Sequence, residues 1–269
     1  MAESGKRNLY SRIIEWVFFE MRPRKNASEF GFERDDLLRA VNVQGLDRPK
    51  NLGDVVYSLR YRYELPMSIR ETQPEGMEWV IEGAGKGRYL FKLVKGNRIV
   101  PNPNLMAIKI PDATPEIISA YSQSDEQALL AKVRYNRLID IFLGIATYSL
   151  QNHLRTVVKG IGQVEIDEIY VGVDRNGGQY VIPVQAKGGK DQLSVVQTKQ
   201  DLGFCEEKFP DLVCRSVSAQ FVGDDLMALF ELALDDEMVK IVEERHYRLV
   251  PASEISEKEV RRYSRQGPG

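Results

Sequence analysis

Histidine and cysteine are nearly missing from this chain: two of each in 269 residues, His153 and His246, Cys205 and Cys214. So few histidines argue against a His-rich zinc site and leave little to serve as the base of a Ser-His or Cys-His pair. The cysteines stand nine apart with no CxxC, which predicts reduced core residues and not a disulfide or metal clip. No eighteen-residue apolar run exists, and the N-terminus MAESGKRNLY lacks the apolar core of a signal peptide. The expectation is a cytoplasmic protein with no membrane partner. Neither GxxxxGK[ST] nor GxGxxG occurs, and the glycines between Gly83 and Gly87 lead into a strand and not a helix, so they do not form a phosphate loop. What these absences leave open is chemistry built on carboxylates and a hard divalent cation.

What is present is ordinary in bulk and uneven in charge. Hydrophobic residues make up 43% of the chain and charged residues 28%, the balance of a globular protein able to bury a core. Residues 1–100 carry 18 Lys+Arg against 14 Asp+Glu, and residues 101–269 carry 19 against 25. A mildly basic front and an acidic back suggest two modules, the first being the anchor for a polyanion.

The front half reads as three helices and a hairpin. Leu9, Ile13, Ile14, Val17 and Phe18 recur at helical spacing before Pro23, and a second helix is expected over 33–41. A third is expected over 52–63, with Leu52, Val55, Val56 and Leu59 inward and Lys50, Asn51, Tyr57, Arg60 and Arg62 on the polar side. MEWVIEG (77–83) and RYLFKLV (88–94) form the hairpin, with Lys86 and Arg88 at its turn. That is the element order of a winged helix, in which the third helix enters the major groove and the wing touches the backbone. Lys50, Asn51, Tyr57, Arg60, Arg62, Lys86 and Arg88 are therefore the candidate DNA contacts, a solvated charged face being the plain alternative. Residues 1–98 are assigned to this domain, 99–116 to a Pro-rich linker in which MAIKI could be a short strand, and 117–269 to a second domain.

In the second domain the pattern predicts helix from about 114 to Leu150, broken near Gly144, then the segment QVEIDEIYVGVDRNGGQYVIPVQAKGGK (163–190). This reads as two strands joined by a Gly-containing turn. Glu165 and Asp167 share one face of the first strand, and Gln185 and Lys187 one face of the second, while Ile182, Val184 and Ala186 face the core. A helix is expected over 193–210, strands over 212–222, 226–234 and 239–251, and a frayed polar tail after that. The fold class is thus α+β/α/β, with a mixed central sheet in the back half.

An acid on one strand followed by (D/E)xK on the next resembles the PD-(D/E)xK nuclease superfamily, here as Asp167 and then Gln185-Ala186-Lys187. The QxK variant is similar to the Mrr-like branch of restriction endonucleases, which also tend to carry an N-terminal winged helix. Two departures stand out: Ile166 replaces the usual Pro, and Gln185 leaves the site one carboxylate short. The resemblance implies a restriction-endonuclease-like domain that hydrolyses DNA phosphodiesters with Mg2+, or with Mn2+ in its place. It implies Asp167 and Gln185 as metal ligands, Lys187 and Glu165 as catalytic partners, double-stranded DNA as substrate and a homodimer with two centres. Glu168 replaces Asp167 if the strand register slips by one. Glu126 or Asp140 could supply a further acid, Gln197, Lys199 and Gln200 could touch DNA, a solvated helix face being the default, and His153 is a candidate phosphate contact. The competing expectation is a DNA-binding regulator that keeps the scaffold without the activity.

Overall fold

The computed structural model describes residues 2–61, 63–96, 98–121, 126–188, 193–223, 226–235 and 238–265. Its elements run α1 (Ala2–Met21), β1 (Glu29–Glu33), α2 (Arg34–Val43), α3 (Gly53–Tyr61), α4 (Met67–Arg70), β2 (Met77–Gly83), β3 (Arg88–Lys95), β4 (Arg98–Ile99), β5 (Ile108–Pro111), α5 (Glu116–Tyr121), α6 (Glu126–Tyr135) and α7 (Leu138–Leu143). They continue with β6 (Ala146–Val158), β7 (Gly162–Val173), β8 (Gln179–Lys187), β9 (Leu193–Ser194), α8 (Val195–Lys208), β10 (Val213–Cys214), β11 (Ser216–Phe221), β12 (Leu226–Asp235), β13 (Met238–Val250), a 3-10 turn (Ala252–Glu254) and α9 (Glu257–Arg265). The protein is a mixed α/β chain in two compact units, residues 1–98 with 155–164 and 194–203, and residues 99–154 with 165–193 and 204–269.

In the first unit, helices pack on a three-stranded antiparallel sheet of order β1-β3-β2. Its core joins the apolar stripe of α1 (Ile13, Ile14, Val17, Phe18) to Leu37 of α2, to Leu52, Val55, Val56 and Leu59, and to Trp79, Ile81 and Phe91 of the sheet. Phe18 is the centre of an aromatic cluster, with ring centroids of Trp79 at 5.2 Å and Phe91 at 5.0 Å, both edge-on. Asn51 starts α3 by accepting the Gly53 N–H on its side-chain oxygen at 3.0 Å. β1 and α4 were not expected from the pattern. Gly83 closes β2 against the β6–β7 turn, where a Cβ would sit 1.9 Å from the Ile161 carbonyl oxygen.

The second unit is built on an eight-stranded mixed sheet of order β5-β13-β12-β11-β8-β7-β6, with β10 also beside β8. β8 and β11 are parallel neighbours joined through α8, whereas β7–β8, β11–β12 and β12–β13 are antiparallel. One face packs Leu129, Leu130 and Val133 of α6 and Leu138, Ile139 and Phe142 of α7 on Tyr170, Ile182, Val184, Ala186, Val217 and Ala219. Ile182, Val184 and Ala186 thus face the core, as their alternation required.

Two stretches differ from the pattern reading. Residues 146–158 are strand, where helix was expected as far as Leu150. They are exposed along most of their length and so carry no apolar periodicity that would mark them. Within the Pro-rich stretch, where MAIKI is the candidate strand, β5 forms and pairs in parallel with Tyr247–Val250 of β13. The tail read as frayed is helix α9, started by a reciprocal capping box in which Ser256 N–H donates to Glu259 at 2.9 Å and Glu259 N–H to Ser256 Oγ at 3.3 Å. The Ser256 N–H and the Ser256 hydroxyl at 2.7 Å, with the Lys109 ammonium at 3.1 Å, hold the Glu259 carboxyl down at about 2. Among the described residues no helix is long and apolar enough to cross a membrane.

Candidate active site

The β7–β8 hairpin is set by its turn. The Asp174 carboxylate accepts N–H groups of Asn176 at 2.9 Å and Gly178 at 2.8 Å and the Tyr180 hydroxyl at 2.9 Å, bonds that keep it ionised below the usual carboxylate range. Gly177, at φ +86°, takes the left-handed conformation the turn demands. From this turn the ladder runs Val173↔Gln179 through Glu168↔Val184. Beyond it the Asp167 carboxylate accepts the Ala186 N–H at 2.8 Å. The acid is therefore held at fixed geometry on the sheet.

This register settles which residues share a face. Glu168 opposes Val184 and so points to the helical side, away from Asp167. It is fully buried there, with Arg134 of α6 on both carboxylate oxygens at 2.9 Å and the Ser149 hydroxyl at 2.6 Å. The Glu168 bonds raise the Arg134 pKa in spite of partial burial. Slippage that would exchange Glu168 for Asp167 is excluded by this pairing.

The opposite face carries the candidate chemistry. Asp167 is half-buried, and its pKa is raised, first by desolvation and then by the charges of Glu126 and Glu165, with the Ala186 N–H and Lys187 pulling the other way. The Lys187 ammonium lies 3.0 Å from Glu126 at the start of α6. Glu126, Asp167 and Lys187 thus interact as one group, with Glu165 close enough to be felt. Gln185 is 2% exposed and donates from its amide nitrogen to the Glu165 carbonyl at 3.0 Å. The hairpin's C-terminal strand end is where a parallel crossover begins, a place where ligand sites collect in α/β sheets.

A polar stripe on β11 continues this face and escaped the pattern reading. Ser218 pairs with Gln185, and Gln220 with Lys187, both buried. The Ser216 and Ser218 hydroxyls are buried with no hydrogen-bond partner among the described residues. The signal was legible in the alternation of Ser216, Ser218 and Gln220 within SVSAQF.

Other candidates fall elsewhere. Asp140 caps the α7–β6 turn, accepting the Thr147 N–H at 2.8 Å and hydroxyl at 2.9 Å and pairing with Arg137 at 2.5 Å. His153 is exposed on β6 at φ +49°, an uncommon conformation for a side chain with a Cβ. In the first unit Lys50, Asn51, Lys86 and Arg88 are exposed, Tyr57 packs on Tyr61 at 5.0 Å, and Arg62 lies outside the described residues. Arg60 sits over the Tyr61 ring at 5.0 Å, with Nε and Nη2 buried and without a hydrogen-bond partner among the described residues. The helix face of Gln197, Lys199 and Gln200 is not simply solvated: Gln200 is 3% exposed and accepts the Tyr61 hydroxyl at 2.8 Å, and Lys199 lies 3.4 Å from Glu82. Cys205 and Cys214 are not joined in a disulfide.

In kind, the donors at Asp167 suit a hard cation: carboxylate and amide oxygens, with negative groups crowded closely enough to raise the pKa of the central one. In number they are sparse, since among the described residues no group of three or more histidine, cysteine or acidic side chains is arranged to hold a metal ion. A cavity of about 400 Å³ opens elsewhere in this unit, between Leu105–Ile108, Glu243–His246 and Tyr263, and includes none of these residues. No family model, no curated protein and no solved structure matches this chain.

Proposed function

We propose that the chain is a divalent-metal-dependent DNA endonuclease of restriction type, with Asp167 and Lys187 at its centre and a winged-helix-like N-terminal module that places it on DNA. The observation that carries the reading is the convergence of Glu126, Asp167 and Lys187, from α6, β7 and β8, at the end of β8. A core has no use for such a group. A buried-side cluster of two acids and a lysine with one acid's pKa raised is the arrangement expected of a reacting site.

In this reading the carboxylates of Asp167 and Glu126 would hold Mg2+ or Mn2+, with Gln185 contributing at most a neutral oxygen. Bound, the cation supplies Lewis-acid polarisation of the phosphate and a water of lowered pKa. Lys187, held 3.0 Å from Glu126, stands ready to stabilise negative charge on the phosphate oxygens. Fixing Asp167 through the Ala186 N–H keeps the acid in place before substrate arrives. Lys50, Tyr57, Lys86 and Arg88 would meet DNA from α3 and the wing, as the winged-helix order suggests.

The test is sequential. Wild-type protein is mixed with duplex DNA in EDTA, binding is read by gel shift, and Mg2+ or Mn2+ is then added. The expected result is a shifted complex that cleaves only after metal, and a Lys187→Ala variant that binds equally but cleaves roughly 10²-fold more slowly or less. Binding with no cleavage under either metal would instead favour a DNA-binding regulator, a reading the sparse donor set keeps in play.

A further inference from the structure

The two edges of the eight-stranded sheet are guarded very differently. At one edge β5 covers only Tyr247–Val250 of β13. The rest of β13 is protected by Lys240, Glu243, Glu244 and Arg245, and by a register shift that leaves Val242 as an extra residue opposite β12. Charges and bulges of this sort prevent edge pairing. At the other edge lies β6, thirteen residues long, with no strand on its outer side among the described residues. From Ala146 to Leu154 it reads ATYSLQNHL, with no Lys, Arg, Asp, Glu or Pro. His153, at φ +49°, lies outside the extended backbone region, so the stretch of ordinary strand geometry considered for pairing is 146–152. Thr147 and Ser149 point inward to Asp140 and Glu168, whereas Tyr148 and Leu150, on the other face, are 63% and 52% exposed. A monomer gains nothing from an uncharged open edge with two large apolar side chains standing in water.

We propose that this edge docks β6 of a second copy of the chain, antiparallel, joining the two sheets across a two-fold axis. Centring the axis on Ser149 sets Tyr148 opposite Leu150 of the second copy, twice, on one face. Thr147 then meets Gln151 and Ala146 meets Asn152. The strand is self-complementary in this register because no like charges can meet, which is the condition an isologous pairing needs. Seven paired residues span roughly 24 Å at about 3.4 Å each. The need for two copies rests on the nuclease reading; the surface they use rests on the strand alone.

The test is the mass of the full chain in solution by sedimentation velocity, without DNA or metal, so its outcome is independent of cleavage. The expected species is twice the 30.7 kDa chain mass. A Tyr148→Asp/Leu150→Asp variant should dissociate, its dimer Kd rising about tenfold or more, and a Tyr148→Lys/Leu150→Lys variant should do the same. Mixing the two should restore the dimer, since each Asp then faces a Lys. A wild-type monomer at about 100 µM overturns the proposal. So does a dimer that survives in both variants, or a mixture that stays monomeric. Should the variants fail to fold, hydrogen exchange on the wild type decides: concentration-dependent protection of amides 146–152 supports the interface, and its absence refutes it.

Discussion

At the scale of single residues, the protonation of Asp167 is the point where chemistry and stability meet. Burial and the neighbouring charges of Glu126 and Glu165 hold its folded pKa above the ordinary carboxylate value. The sign follows from linkage: a raised folded pKa favours the fold while the group is protonated, and that contribution is lost as pH rises through the folded value. Above its folded pKa the ionised acid therefore costs stability and is kept in spite of it, as expected of a working group. In the proposed nuclease reading cleavage needs the ionised form, so the acid limb of the rate–pH profile should lie above the range of a free aspartate. Single-turnover rates between pH 4 and 8 would check this, and a limb at or below the free-aspartate range would contradict it. Asp167, Gln185 and Lys187 were legible in the sequence because strand alternation fixes faces. Glu126 was only one of two candidate acids, because the choice between it and Asp140 depends on how α6 and α7 lie on the sheet, and periodicity does not report that.

Among the elements, α6 does most to assemble the site. Its first residue, Glu126, meets Lys187 of β8, and near its other end Arg134 clamps Glu168 of β7. Asp167 and Glu168 are adjacent, so one strand residue serves the site and the next anchors the helix that completes it. Arg134→Met would leave the fully buried Glu168 carboxylate without its cation, and a loss of about 3 kcal/mol is expected from urea unfolding. A loss under about 1 kcal/mol would mean that the pair does not hold α6. The elements that escaped sequence reading share a cause. β6 is exposed on both sides over most of its length and so needs no alternation. β1 has only five residues, and its Phe30 and Phe32 gain meaning only beside Phe91. The α9 start was readable after all, in the spacing of Ser256 and Glu259.

Across the whole molecule, the chain order is simpler than the folding units. Three helices and a hairpin were legible near their observed bounds because each amphipathic stripe, such as Leu52, Val55, Val56 and Leu59, is complete within its own segment. That residues 155–164 and 194–203 belong with the N-terminal unit was not legible, since it depends on long-range contacts such as Tyr61 with Gln200 and Gly83 against Ile161. The side-by-side placement of Gln185 with Ser218 likewise comes from a parallel crossover and has no local signature. The account stands on Asp167 being the acid of a cutting centre and not a structural residue. An Asp167→Asn variant measures this most directly, because the amide oxygen can still accept the Ala186 N–H while the charge is gone. Plasmid cleavage in Mg2+ should fall about 10²-fold or more, with DNA binding unchanged and the melting temperature equal to or above that of the wild type. Cleavage at the wild-type rate by a folded Asp167→Asn protein would contradict it.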